Sequence, residues 1–451
     1  NAGDADIVIR SSDRVDFRLH KKNLEFATGG FPPATTLSNP NEVVKLDESA
    51  ATLDIMFQFV YPKRYPSLYK MEFEDLMLLA EAAEKYQVFA LMNTCEFHLR
   101  KFLEEPYAMR ILEFAAAHDY RGLIEELAMV LIDQPLSAIA DKIPDYTIYK
   151  LWSSYREERM RLLFHANQAP QKSLFSDDMN FSHCRGTWHD IVPVIQQQLQ
   201  KPSDLNSSHI QAVFKRVKES ESPMQRCCTE ELDSWRSIIM SDIGYSRSLF
   251  DFTARSSGYS KQGCNGLFTH SFSSIIQVKL PKAPTANSLS TVRHISSVNA
   301  DDADIIVRSS DNVDFRLHEK NLEFATGAFP PATLTSSPDE VVRLDESAAT
   351  LEIMFRFVYP KRYPPLDKVK FEVLMLLAEA AEKYEVFALI IACEFHMRKF
   401  LKEPYALRIL EFVGRHDYRG IIEELGMVLV DKPLTEIVDK LPGETLYKPW
   451  V

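Results

Sequence analysis

The sequence predicts an α+β chain in which one domain occurs twice, and three observations carry that reading. Residues 4 to 152 reappear at a constant offset of 298 without a gap, and about 110 of the 149 aligned positions are identical. Each copy holds short runs of alternating apolar residues together with longer stretches whose apolar residues recur at helical spacing. The whole chain has 451 residues, 45% hydrophobic and 26% charged, a composition that folds, and a length that calls for two to four compact units. Two copies of this size are tandem domains, since a solenoid needs several shorter units stacked on one another.

In the first copy, Asp6 to Ile9 and the alternating Val15, Phe17 and Leu19 read as two strands joined by the turn-like Ser11-Ser12-Asp13. His20 to Thr28 reads as a short helix, which Gly29-Gly30-Phe31-Pro32-Pro33 ends because prolines cannot continue it. Val43 to Leu46 is a third strand. Ser49 is placed to cap a helix in which Leu53, Met56, Phe57 and Val60 share a face, closed by Tyr61-Pro62. Leu76, Leu79, Ala80 and Ala83 mark the next helix, and Val88, Leu91, Met92, Cys95, Leu99 and Phe102 its partner in a helical hairpin. The second copy repeats all of this.

Between the copies the character changes. Each copy carries a charge of about −8, whereas residues 153 to 298 carry about +4 from 17 basic and 13 acidic residues. HDIVPVIQQQLQ and HIQAVFKRVKE have helical spacing, with Ser207 or Ser208 as the expected N-cap of the second. About 12 of the 52 residues from Ser246 to Ser297 are serine, which predicts a linker. The expected domains are therefore 4–103 and 302–401, helical extensions 104–152 and 402–451, a partly helical insert 153–245, and a Ser-rich linker 246–298.

The net charge of −12 disfavours binding to phosphate backbones. No stretch reaches the roughly 20 apolar residues of a membrane span, and NAGDADIVIR lacks the regions of a signal peptide. Six cysteines are too sparse for a disulfide scaffold and are expected to be reduced. A cytoplasmic or nuclear protein is expected. Asn1 in place of Met, and a second copy that stops at Trp450-Val451 where the first runs on through Ser153, are expected of a fragment or processed product.

DADIVIRSSDRVDFRLHKKNLEFAT, VVKLDESAATLDIMFQFVYP and LLAEAAEKYQVFALMNTCEFHLRKFL resemble a BTB (POZ) domain, in particular the BTB-containing proteins of mushroom-forming fungi. The resemblance covers both copies. It implies a small sheet flanked by helical hairpins and a role in protein–protein association, including pairing between the copies. Asp6 and His20, with Asp304 and His318, sit where the family has its near-invariant Asp and His. Residues 104 to 150 resemble the helical extension that follows many such domains. Adaptors of cullin-type ubiquitin ligases often present a hydrophobic-x-Glu motif after the second helix. The nearest segments here, Pro40-Asn41-Glu42 and Pro338-Asp339-Glu340, place proline where a large side chain is expected. Some relatives are transcriptional co-regulators, but no zinc-finger or basic DNA-reading motif is found.

Two loops stand out as candidate partner contacts. YPKRYP pairs two aromatics with two cations at Tyr61, Lys63, Arg64 and Tyr65, and again at Tyr359, Lys361 and Arg362, residue types favoured at interface hot spots. The competing reading is a solvated, proline-stiffened turn. FPPAT at Phe31, Pro32 and Pro33, repeated at Phe329 and Pro330, looks exposed and apolar. Glu42 and Glu340 complete the set. His20 and Asp6 read as buried structural polar residues tying strand to helix rather than as a ligand or a general base.

Catalytic and metal chemistry find little support. His183, Cys184, His189, Cys227, Cys228 and Cys264 are zinc-ligand types, but no C-x-x-C occurs. Cys95 and Cys393 lie on an apolar helix stripe, and Trp188 and Trp235 read as core or as remnants of a Trp- and Cys-bearing module. Gly258-Tyr259-Ser260-Lys261-Gln262 lacks the second glycine of a nucleophile elbow. The expectation is a non-enzymatic association module without metal or cofactor.

Overall fold

The structure is a computed structural model that describes residues 4–31, 43–170, 182–220, 224, 226–255, 291–293, 303–329, 341–402, 404–416 and 418–430. It divides into two compact units, Asn1–Lys101 together with Gln277–Val451, and Phe102–Ile276. In chain order the first unit opens with β1 (Ile7–Arg10), β2 (Asp16–Leu19), α1 (Lys21–Ala27), β3 (Val43–Lys45), α2 (Ala50–Gln58), α3 (Phe73–Tyr86) and α4 (Phe89–Leu99). The second unit holds α5 (Ala108–Ala117), α6 (Arg121–Val130), α7 (Leu136–Ala140), α8 (Tyr146–Ala166), α9 (Ser182–Gln198), α10 (Ser207–Ser220) and α11 (Arg226–Gly244). The chain returns to the first unit with β4 (Thr291–Arg293), β5 (Ile305–Arg308), β6 (Val313–Leu317), α12 (Glu319–Ala325), β7 (Val341–Arg343), α13 (Ala348–Phe355), α14 (Phe371–Lys383), α15 (Phe387–Met397), α16 (Ala406–Arg415) and α17 (Arg419–Val428). The class is α+β.

Each copy builds its sheet in the same way. Ile7 and Ile9 are buried while Val8 and Arg10 are half-buried, the alternation of a strand with one face on the core. β1 pairs antiparallel with β2, Ile9 opposite Phe17, and parallel with β3, giving the order β2-β1-β3. The copy-2 sheet has the order β4-β6-β5-β7, with β4 added in parallel along β6. Arg10 and Asp16 clamp the first hairpin through two hydrogen bonds of 2.5 and 2.8 Å.

Carboxylates and hydroxyls fix the helix starts. Asp6 Oδ1 accepts from the Lys21 amide at 2.7 Å, and Asp304 from that of Glu319 at 2.7 Å, so each holds the first turn of the helix after the hairpin. Ser49 accepts from the Thr52 amide, and Asp13, in the β1–β2 turn, accepts from the Ala50 amide at 2.8 Å, which ties the hairpin to α2. The α3–α4 and α14–α15 hairpins turn on Gln87 and Glu385, both left-handed at φ 49° and 48°. Gly30 donates to the Tyr86 carbonyl at 2.9 Å, and a Cβ there would meet the Tyr86 backbone at 2.7 Å. The second copy has Ala328 at this position, and its bond to Tyr384 is stretched to 3.3 Å.

The second unit is helical throughout its described residues and revises the expected boundaries. The junction expected at 152/153 falls inside α8, whose buried residues Leu151, Trp152, Tyr155, Arg159, Leu162, Leu163 and Ala166 continue one stripe across it. The repeat ends there but the helical period does not, so the expected extension 104–152 and the insert belong to one unit. Leu163, Ile195, Val213, Phe214 and Trp235 lie in its core, and the Trp235 indole donates to the Ala166 carbonyl at 3.1 Å. Asn206, rather than Ser207 or Ser208, caps α10: its side chain accepts from the His209 amide at 2.7 Å. Leu249–Arg255 is a short 3-10 segment and β4 a strand inside the stretch expected to be linker; residues 256–290 and 294–302 lie outside the described residues.

A non-glycine residue in the left-handed region pays a backbone cost that glycine avoids. Gln87→Gly and Glu385→Gly are each expected to stabilise the first unit by about 0.5–1 kcal/mol, read as a higher denaturant midpoint with an unchanged slope.

Candidate association interface

Within the first unit the two copies meet along α4 and α15. Phe97 and Phe395, the same position in each copy, stack with ring centroids 4.9 Å apart and planes 15° apart. Phe97 is buried among the copy-2 core residues. The Phe97 ring also meets His396 edge-on at 5.7 Å, and the Arg100 guanidinium lies 5.9 Å from the Phe395 ring. A second equivalent pair, Phe26 on α1 and Phe324 on α12, makes contact at 4.0 Å between ring centroids.

The YPKRYP loops flank this contact reciprocally. Arg64 reaches Glu382 on α14 at 3.3 Å, and Arg362 reaches Glu84 on α3 at 3.3 Å, so the same ion pair forms twice at the same offset. Arg64 also lies over the Tyr418 ring at 5.0 Å, and the Tyr418 hydroxyl donates to Glu382. Tyr65 stacks on Phe59 of its own copy at 4.7 Å and reaches Phe387 of the other at 6.1 Å. Tyr363 stacks on Phe357, and its amide donates to Asn93 Oδ1 across the copies at 3.3 Å. Lys63 is exposed, whereas Lys361 is half-buried with its ammonium 5.6 Å from the Tyr359 ring. These loops face the other copy instead of forming wholly solvated turns.

Farther along the contact the two sides differ. Tyr69 of the first copy lies under Arg398 at 4.7 Å and under Lys101 at 3.4 Å, and Arg398 bonds Glu424 at 2.8 Å. The second copy has Asp367 at the equivalent position, bonded to Lys399 at 2.8 Å and 4.0 Å from His396 Nδ1.

His20 and Asp6 have different surroundings from those expected. Asp6 is exposed and His20 half-buried, so neither is a buried polar residue. His20 Nδ1 lies 3.2 Å from the Tyr61 hydroxyl and Nε2 3.1 Å from Asp4, and His318 lies 3.3 Å from Tyr359. The histidine thus links the end of the hairpin to the start of the YPKRYP loop. Phe31 stacks on Tyr86 at 5.0 Å, and Phe329, buried, lies 5.7 Å from Tyr384. These phenylalanines anchor to their own copy and do not form the exposed surface expected of them, because a tyrosine at the end of α3 or α14 offers each a stacking partner. Pro32, Pro33, Glu42, Pro330 and Glu340, and with them both hydrophobic-x-Glu candidates, lie outside the described residues.

Cys95 and Cys393 are fully buried, and burial raises their thiol pKa, which keeps them protonated. Among the described residues no three His, Cys, Asp or Glu side chains are grouped to hold a metal, and no helix is long and apolar enough to cross a membrane. The side chains of His183, Cys184 and Cys227, and Cys264 altogether, lie outside the described residues. Trp188 packs 6.0 Å from Trp235 in the core of the second unit.

Sequence reasoning flagged the two loops but missed Glu84, Glu382, Phe97 and Phe395. A signal was present: Phe97 falls off the stripe made by Leu91, Cys95 and Leu99, an apolar ring on the other face of its helix. Compared with protein-family models, curated proteins and solved structures, the chain matches none.

Two expectations follow. Phe97→Ala is expected to cost about 3 kcal/mol as a buried aromatic truncation. A double-mutant cycle with Phe395→Ala should give a coupling of about 0.5–1.5 kcal/mol by denaturant unfolding.

The interface also carries a pH dependence. Burial, with Lys101 and Arg398 nearby, pushes the His98 imidazole down to about 3. Burial and then Lys399 and Arg100 push His396 down against the pull of Asp367, and neither of its ring nitrogens has a hydrogen-bond partner. Such histidines bind fewer protons folded than unfolded, so stability is expected to fall as pH drops below 6.5, the ordinary histidine value. His396→Leu should flatten that acid slope while leaving stability at neutral pH unchanged or raised by about 1 kcal/mol, measured by chemical unfolding across pH.

Proposed function

We propose that the chain is a non-enzymatic protein-association module of the BTB (POZ) type, cytoplasmic or nuclear, whose two copies pair with each other within one chain. The observation that carries this reading is the reciprocal set of Arg64–Glu382 and Arg362–Glu84 around the Phe97–Phe395 stack. An isologous contact uses one surface patch on both partners, so a contact of this kind between two nearly identical domains is the arrangement of a homodimer held in a single chain. The order of strands and helical hairpins in each copy, and the sequence resemblance, support the same family. A covalent tether that spans the two copies raises their effective concentration to about the millimolar range. The intramolecular pair then outcompetes association between chains, leaving other surfaces for partners.

The test reverses the ion pairs. Glu382 and Glu84 expose only 9% and 10% of their side chains, so Arg64→Glu with Arg362→Glu sets like charges together in a poorly solvated place. The full chain is expected to sediment as a compact monomer, and the doubly reversed chain to sediment more slowly and to unfold at a lower denaturant midpoint as its copies separate, since the same clash bars pairing between chains. Adding Glu84→Arg and Glu382→Arg should restore both. A reversed chain with unchanged sedimentation and unchanged unfolding would overturn intramolecular pairing.

A further inference from the structure

Lys101 and Lys399 occupy one position of the repeat and both are exposed, yet their ammonium groups meet different counterparts. Lys399 is bonded to the Asp367 carboxylate at 2.8 Å. In the first copy Tyr69 stands in place of that carboxylate. Lys101 donates to the Tyr69 carbonyl oxygen at 2.6 Å, and its ammonium lies 3.4 Å from the centre of the Tyr69 ring. The Arg398 guanidinium of the other copy lies 4.7 Å from the same centre, so two cations share one ring. The carboxylates beside them, Glu424 and Glu394, bond Arg398 at 2.8 and 3.2 Å.

We propose that Lys101 is an acylation site that reacts with acyl thioesters, and that Lys399 is not. The lone pair of the neutral amine attacks the thioester carbonyl, the carbon–nitrogen bond forms as the carbon–sulfur bond breaks, and the departing thiolate takes up the proton that the amine gives up. An amide and a free thiol result, and nothing is oxidised or reduced. A lysine becomes a nucleophile when it is partly desolvated or set beside another cation, because both disfavour the ammonium. Lys101 meets both conditions. Burial of its ammonium, and then Arg398, push it down to about 8 against the pull of Glu424 and Glu394. His98 on α4, which feels the Lys101 charge, is pushed down to about 3 and stays neutral. A ring face holds an ammonium more weakly than a carboxylate does, so Tyr69 does not undo the effect. The inference rests on the pairing of the copies, which brings Arg398 to Tyr69.

The probe is the acetyl thioester of N-acetylcysteamine, small and uncharged, added to the full chain. Acetylation is followed by mass spectrometry of peptides, in which the divergent residues Glu104 and Lys402 tell the two sites apart. At pH 8 about half of an amine held at about 8 is neutral, against under ~1% of an ordinary lysine. After allowance for the lower reactivity of a weaker base, Lys101 is expected to acetylate about tenfold or more faster than Lys399. Its rate should level off above pH 8. Tyr69→Asp, which gives Lys101 the counterpart that Lys399 has, should slow it about tenfold, and Arg398→Gln about threefold, with Lys399 within about twofold in both.

Equal rates at Lys101 and Lys399 in the unaltered chain, a Lys101 rate still rising steeply at pH 10, or a rate that Tyr69→Asp leaves unchanged would each overturn the site. If Tyr69→Asp does not fold, the ratio of the two lysines and the pH profile of the unaltered chain decide by themselves. Sedimentation of the same samples keeps the two readings apart. A chain that sediments as extended has lost the pairing and this site with it, whereas a compact chain with equal rates has lost the site alone.

Discussion

Phe97 can stack on Phe395 only if α4 and α15 cross close to an axis that exchanges the two copies, because the two rings occupy one and the same position of the repeat. Once that axis exists, every contact away from it must occur twice. Arg64 with Glu382 and Arg362 with Glu84 obey this rule at matched distances. The division of labour follows from burial. Arg64 and Arg362 keep 50% and 39% of their side chains in solvent, so each pair is worth roughly 0.2–1 kcal/mol. The stacked rings, Phe97 buried and Phe395 half-buried, supply the larger favourable term, and the ion pairs penalise other registers by setting like charges together.

Two departures from the symmetry fall at positions where the copies have diverged. Asn93 accepts the Tyr363 amide across the contact, whereas its equivalent is Ile391, which has nothing to offer an amide. Tyr69 takes two cations on its ring, and its equivalent Asp367 takes one as a carboxylate. Both solutions satisfy the same demand, a counterpart for the cations at the ends of α4 and α15. One uses a quadrupole and the other a full charge. The fold itself is insensitive to the exchange, since both helical hairpins keep the same left-handed turn at Gln87 and Glu385.

Most elements of the repeat were legible because each has one buried face. Ile7 and Ile9 alternate with half-buried neighbours, and Leu76, Leu79, Ala80 and Ala83 recur at helical spacing. The end of the first copy is no guide to packing, because sequence identity stops at Trp152 while the buried stripe of α8 runs on to Ala166. Duplication history and packing are different signals, and only the second sets a unit boundary. The interface was half legible. Tyr and Arg in a proline-stiffened loop drew attention to YPKRYP by composition. Glu84 and Glu382 are ordinary helix acids until a cation arrives from a residue hundreds of positions away, and no local pattern encodes that. The contact between His20 and Tyr61 was equally hidden, being 41 residues apart in sequence.

Near-identical domains in one chain need not present identical surfaces. The contact along α4 and α15 draws on the same position of both copies, with Phe97 buried and Phe395 half-buried against it. The sheet edge differs between them among the described residues: β4 lies along β6, whereas β2 ends its sheet. Val15 and Val313 are the same residue in the same strand, and what separates a half-exposed side chain from a buried one is a neighbour and not a substitution. The repeated sequence therefore determines which groups each copy can bury, and the strands and helices laid beside it determine which of them it does bury.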